Sequence, residues 1–162
     1  MTRSLDDNTD YSTPDRKLLM DVQAYGWHVT GVFAKKGGLG PGYWAYSIGL
    51  FHSFGHPEVI VYGLKLENCM DVINEIGRQV KMGKHFEITS EYKDILTDPY
   101  QCAFRLVQLK CYGDYLGTAL WFYESDSFPA MQCFWPDNSG KLPWDEECSP
   151  DVRTAQPFLF IP

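Results

Sequence analysis

YWAYSIGLFHSFGHPEVIVYGL, residues 43–64, holds two strand-like runs joined by a corner, and the way it is read decides the fold. From Tyr43 to Leu50 the large apolar residues Trp44, Tyr46, Ile48 and Leu50 share one parity, while Tyr43, Ala45, Ser47 and Gly49 take the other. That is the two-residue period of a strand with one heavily buried face. Val59 to Tyr62 does not alternate. It is a β-branched and aromatic run between Pro57 and Gly63, the pattern of a central strand covered on both faces. Between the runs, Gly55 is free to take positive φ and Pro57 pushes His56 toward extended geometry, which predicts a fixed corner.

Upstream, Thr13-Pro14 reads as a cap with proline in the first helical turn, Leu18, Leu19 and Val22 form an apolar stripe and Gly26 supplies a stop, so a helix is expected over Pro14–Ala24. Trp27 to Ala34 then alternates as a strand antiparallel to Tyr43–Leu50, across the loop KKGGLGPG. Glycine-rich phosphate loops lie between a strand and a helix N-terminus, whereas here a strand follows, so an ordinary hairpin loop is the better reading. Downstream, Leu66, Cys69, Met70, Ile73, Ile76, Gly77 and Val80 mark the clearest amphipathic helix, with Gly77 suited to a close approach to the sheet and Gly83 closing the segment. Lys84 to Pro99 is weakly patterned and reads as loop with one short element. Cys102–Leu109 and Ala130–Trp135 read as strands, Tyr112–Glu124 as a helix, and Ser149-Pro150 opens a short helix to Ala155. Arg105, among apolar residues, reads as a snorkelling side chain rather than an anion ligand.

The chain has 162 residues, enough for one domain that buries about 70% of its unfolded surface without a staple. Residues 1–12 are polar, acidic and aperiodic, and are expected to be a disordered tail ahead of a single domain over 13–162. A formal net charge of −7 without any basic cluster argues against nucleic acid and anionic membranes as partners. No apolar leader and no long apolar run is present, so a cytoplasmic location is expected. Five cysteines, an odd number without a CxxC pair, fit reduced thiols: four core-facing, and Cys148, among Asp145, Glu146 and Glu147, exposed but a poor nucleophile. Ten Tyr, ten Phe and five Trp exceed what a small core encloses, which points to a binding surface.

No catalytic constellation stands out. His52 and His56 are four apart, yet Gly55 and Pro57 oppose the helix that would align them, so no metal site is expected. The acidic C-terminal zone lacks EF-hand spacing, and Ser47 lies in a strand outside any G-x-S-x-G elbow. His28, on the polar parity of its strand, and His56 and Glu58 at the corner are the groups suited to acid and base work.

Taken together, YGWHV at residues 25–29, AYSIGL with FGHPEVIVYGL between residues 45 and 64, FWPDNSGKLPWD at residues 134–145 and the closing Gln156-Pro157 resemble the bacterial domain-of-unknown-function family 4262. The resemblance covers Tyr25 to Phe160 and implies no activity. Residues that match its pattern are His28, Tyr46, Gly49, His56, Pro57, Glu58, Trp135, Asp137, Pro143, Trp144 and Asp145. The pattern usually has a compact hairpin where this chain carries KKGGLGPG.

The expected architecture is α+β: a mainly antiparallel sheet of about five strands with two or three helices packed against it, those from Leu66 and near Tyr115 on one face. The expected function is that of a non-enzymatic binding module of accessory or immunity type, recognising a partner protein or small ligand. The alternatives are a flavin- or nucleotide-dependent enzyme of split-barrel type, suggested by a loose likeness of AYSIGL and HPEVIVYGL, and a histidine-dependent hydrolase. The residues select no cofactor and no oligomeric state. His28, Tyr46, His56, Glu58, Trp135, Asp137, Trp144 and Asp145 are the candidate site residues, expected to gather at one end of the sheet.

Overall fold

The structure, a computed structural model, describes residues 1–33 and 42–161. The glycine-rich loop up to Pro41 and the end of the strand expected to reach Ala34 lie outside the described residues.

Among the described residues, six strands form one open sheet in the order β1-β2-β3-β6-β5-β4. They are β1 (His28–Phe33), β2 (Tyr43–Ile48), β3 (Glu58–Tyr62), β4 (Glu91–Tyr92), β5 (Cys102–Leu106) and β6 (Ala130–Phe134). Four pairings are antiparallel, and β3 with β6 is parallel, Glu58 opposite Ala130 and Val61 opposite Cys133. The α+β class and the mainly antiparallel character are as expected, with one more strand. Every residue of β3 and β6 is buried, as the unalternating Val59–Tyr62 run requires of a central strand.

The described residues also form six α-helices: α1 (Thr13–Tyr25), α2 (Leu50–Phe54), α3 (Leu66–Lys81), α4 (Tyr112–Tyr115), α5 (Gly117–Tyr123) and α6 (Pro150–Ala155). The helices expected on one face divide between two. β2 and β3 are apolar on both parities, so both faces need cover. Ala45, Val59 and Val61 pack with Cys69, Ile73 and Ile76 of α3, while Trp44, Tyr46, Ile48 and Ile60 pack with Leu18, Leu19 and Val22 of α1 and Ala119 and Phe122 of α5. The expected Tyr112–Glu124 helix breaks at Leu116, where φ is −125°.

The corner between β2 and β3 contains a helix that no short period could announce. The chain leaves β2 at Gly49, makes one helical turn through Phe54 and ends on Gly55 at φ 70°. A Cβ built on Gly55 meets nothing within 4 Å, so only backbone strain opposes a side chain there. Gly55→Val is therefore expected to lower stability by about 1 to 2 kcal/mol in urea unfolding, and an unchanged midpoint would show that the positive φ is not required.

Within residues 1–12, the segment expected to be a disordered tail, Arg3 and Tyr11 touch α5. Arg3 N donates to Phe122 O (2.9 Å), its Nε donates to Trp121 O (2.8 Å), its guanidinium sits 4.9 Å from the Trp121 ring, and Tyr11 is buried edge-on to Trp121. An arginine and a tyrosine in an otherwise polar segment thus supply the anchors. Cys148 is likewise buried rather than exposed: Glu146 and Glu147 face outward while the turn closed by Cys148 N on Asp145 O folds the thiol inward. All five cysteines are unpaired, and burial pushes the Cys148 thiol up from its ordinary pKa.

Candidate functional site

Glu58 opens β3 with its side chain fully buried. Its Oε1 accepts from Ser47 Oγ (2.6 Å) and Leu50 N (3.2 Å), and its Oε2 from Gly49 N (2.8 Å), Phe51 N (3.4 Å) and the Tyr123 hydroxyl. Tyr123 Oη in turn accepts from His52 N at 3.1 Å. A helix begins with four amides that have no partner within it, and here a carboxylate and a phenol take the amides of Gly49, Leu50, Phe51 and His52. Burial pushes the Glu58 carboxyl above its ordinary range, opposed by the hydrogen bonds from Ser47, Tyr123 and the Gly49 and Phe51 amides. Burial also raises the Tyr123 hydroxyl, aided by the Glu58 charge. Glu58 is thus the cap of α2, with no lone pair turned to solvent.

His56 is committed in the same way. Its Nδ1 lies 2.8 Å from Pro57 O and its Nε2 accepts from Phe86 N at 3.1 Å, an arrangement that needs the neutral ring with the proton on Nδ1. Burial pushes its pKa down. Tyr46 is a core residue whose hydroxyl accepts from Thr118 N at 3.0 Å, tying β2 to α5.

The aromatic turn lies at the other end of the sheet, and the expectation of one gathered site fails here. β1, β2, β3 and β6 place His28, Ile48, Glu58 and Ala130 along one end, whereas Trp135 follows the far end of β6 and its Nε1 donates to Tyr62 O (2.9 Å), at the last residue of β3. Asp137 accepts from Ser139 N and Lys141 N through Oδ1 and from Ser149 N through Oδ2, and these bonds from Ser149 and Lys141 hold its carboxyl below the usual range. Asp145 Oδ2 accepts from Leu142 N at 2.8 Å. Trp144 packs edge-on to Phe134 (5.2 Å between centroids) with the Arg105 guanidinium 4.1 Å from its ring. The acidic and aromatic residues of FWPDNSGKLPWD therefore build the turn itself. Arg105 keeps the structural role expected of it, with Nη1 on the carbonyls of Phe104 and Ile88.

His28 alone among the eight stands in an open cleft with a free ring nitrogen. α1 ends at Gly26, in the left-handed region at φ 103°, and the reversal leads through Trp27 into the edge strand β1, which His28 opens. His28 Nδ1 lies 2.7 Å from Asp21 Oδ2, while Nε2 has no hydrogen-bond partner among the described residues. Asp21 also pairs with Lys17 at 2.8 Å. Burial would raise its carboxyl, but the hydrogen bonds and charges of Lys17 and His28 prevail and hold it below its ordinary value. The cleft measures about 520 Å³. One wall is the Lys17, Asp21 and Tyr25 row of α1, and the other is the Met70, Asn74, Arg78 and Lys81 row of α3. Each row repeats at helical spacing, and Trp27 with His28 and Val29 of β1 lies between them. The Trp27 indole is fixed by Nε1 donating to Asn74 Oδ1 (3.1 Å), and it lies so close to α3 that a Cβ on Gly77 would stand 2.5 Å from the ring. Gly77 does allow a close approach, and what approaches is this indole.

A family model described as Domain of unknown function (DUF4262) matches residues 21–149. The chain belongs to the DUF4262 family. No curated protein and no solved structure matches the chain. The DUF4262 match begins at Asp21 itself and takes in His28, Trp27, the α3 wall and the Glu58 cap, while Lys17 precedes it. Among the described residues of this DUF4262 domain, no group of three or more His, Cys, Asp or Glu side chains converges into a cation site, and no helix is long and apolar enough to cross a membrane. Asp21, Asn74, Arg78 and Lys81 were not singled out in the sequence. Asp21 lies one turn after Lys17 on the polar side of the α1 stripe, which is a helix-pairing signal and not a site signal.

Proposed function

We propose that this DUF4262 domain is a binding module whose ligand is a small molecule, held in the cleft between α1, β1 and α3. The observation that carries the reading is the Asp21–His28 pair: a carboxylate fixes the ring through Nδ1, and Nε2 is left open in a cleft of about 520 Å³. Pockets of this size suit small organic ligands. Tyr46, His56, Glu58, Trp135 and Asp137 are each held in internal hydrogen bonds that support the fold instead. A histidine-dependent hydrolase is the second reading, favoured by that same pair, because a carboxylate on Nδ1 orients a ring and makes Nε2 the basic position. The open sheet, with β1 and β4 at its edges, gives the split-barrel flavin or nucleotide reading no support. A cytoplasmic location stays part of the proposal, as does the absence of nucleic-acid and membrane partners, which the net charge of −7 supports.

The test is a fragment library followed by protein-observed NMR. Binders are expected to shift the Trp27 indole N–H and the His28 ring signals together, and His28→Ala is expected to weaken them at least tenfold. Hits that map to Trp135 and Trp144 instead would place the site at the wrong end.

A further inference from the structure

We infer that the ligand of this cleft joins a flat apolar body to one anionic group, a carboxylate or a phosphate ester. The inference rests on the cleft being the binding site and adds the chemical class it selects. The chain as a whole carries a net charge of −7, yet the cleft is lined by three cations, Lys17, Arg78 and Lys81, and a single carboxylate, Asp21. Asp21 is already occupied by Lys17 and His28, so it presents little free charge to a ligand. The two cations of α3 are available. Among the described residues Lys81 Nζ contacts only a neutral acceptor, Tyr25 O at 3.2 Å, and pairs with no carboxylate. Arg78 uses Nε and Nη2 on Glu75, leaving Nη1 without a partner among the described residues. That ion pair is exposed, and exposed pairs of this kind are readily given up to a stronger acceptor.

The remainder of the cleft is apolar and already in place. Trp27, Val29 and Met70 line it, and Tyr25, exposed at its rim, adds a second ring. Because Trp27 Nε1 is spent on Asn74 and its ring is pressed against Gly77, the indole offers a fixed apolar surface and no donor. A rigid ring costs little to organise on binding. His28 Nε2 remains for one directional hydrogen bond, and the cationic pair on α3 for the charge.

Four probes of one shape separate the possibilities: 2-naphthoate, 2-naphthyl phosphate, neutral 2-naphthamide and cationic 2-naphthylmethylamine, each titrated while the Trp27 indole and His28 ring signals are followed. At least one of the two anions is expected to bind tenfold or more tighter than the amide and the amine, and which anion it is identifies the headgroup. Its affinity should fall at least fivefold between 50 and 500 mM salt. Lys81→Gln with Arg78→Gln, both exposed positions, should remove that advantage, bringing the favoured anion to within about threefold of the amide measured on the same variant, while the far-UV circular dichroism stays that of the folded parent. Amide or amine binding in the cleft as tight as the anions would overturn the anionic class and leave the cleft itself standing. If none of the four shifts Trp27 or His28 at millimolar concentration, the anionic class is rejected, and the fragment screen then decides whether the cleft reading falls with it.

Discussion

Glu58→Ala is expected to cost about 3 to 5 kcal/mol, at about 1 to 3 kcal/mol for each buried donor left without an acceptor, and so a large part of what holds a domain of this size together. The reason is the number of donors that lose their acceptor at once. Gly49, Leu50 and Phe51 amides and the Ser47 and Tyr123 hydroxyls all point at one carboxylate that solvent does not reach. Glu58→Gln keeps the volume and one carbonyl. Its best arrangement turns the new NH₂ toward Ser47 Oγ, which sets it against the Leu50 N–H, a single mismatch worth about 1 to 3 kcal/mol. The order Ala worse than Gln worse than parent, read from urea unfolding by circular dichroism, is the expected result. A Glu58→Ala midpoint equal to the parent's would mean that α2 needs no cap. The same substitution carries a pH signature. Because burial raises the Glu58 carboxyl above its ordinary value of 4.5, the folded chain holds this proton where the unfolded chain has lost it. Between 4.5 and the raised folded value, Glu58 taken alone makes stability fall as pH rises, and Glu58→Gln should remove that contribution to the slope.

The cap shows what a sequence can and cannot disclose. Val59–Tyr62 and the α3 stripe were legible because each is long and regular enough for its period to emerge, and Gly55 was legible because only a few residue types tolerate its conformation. α2 was not, since five residues between a strand and a glycine carry no period, and β4 spans only two residues. The expectation that Glu58 sits at the corner accounts for its bonds to Gly49, Leu50 and Phe51, but its two hydroxyl partners come from β2 and α5, and Tyr123 is 65 positions away in the chain. The parallel pairing of β3 with β6 is non-local in the same sense.

At the candidate site the limits are those of coupling between elements. His28 could be singled out as a polar residue on a strand, whereas its partner Asp21 is seven residues earlier on a helix, where spacing says nothing about a strand neighbour. The cationic wall is invisible for a related reason: Arg78 and Lys81 sit on the solvent side of an amphipathic helix, and only the position of α3 beside the edge strand turns that side into a cleft wall. The acidic and aromatic turn misled in the opposite direction. Asp137 and Asp145 look like ligands in a list of residues, but a carboxylate beside a tight turn most often takes the turn's own amides, and these do.

Trp144→Ala is expected to lose about 3 kcal/mol of stability, the low end for deleting a large aromatic side chain because Trp144 is only partly buried. Two readings of this residue compete, a plug over the sheet and an anchor for a partner. Trp144 sits where Phe134, Phe158 and Phe160 form one aromatic cluster with Ala103 and Leu142. The ring is covered by a cation as well, since the Arg105 guanidinium stands 4.1 Å from its centroid while being held by the Ile88 and Phe104 carbonyls. A ring with an aromatic cluster against it and a fixed cation over it has little left to offer a partner, so the loss should appear in the unfolding midpoint. Binding of naphthoate in the cleft should be unchanged, because Trp144 packs over β5 and β6 and the cleft lies at β1. A variant that melts like the parent would favour the anchor, and the search for a partner would then move to this end of the sheet.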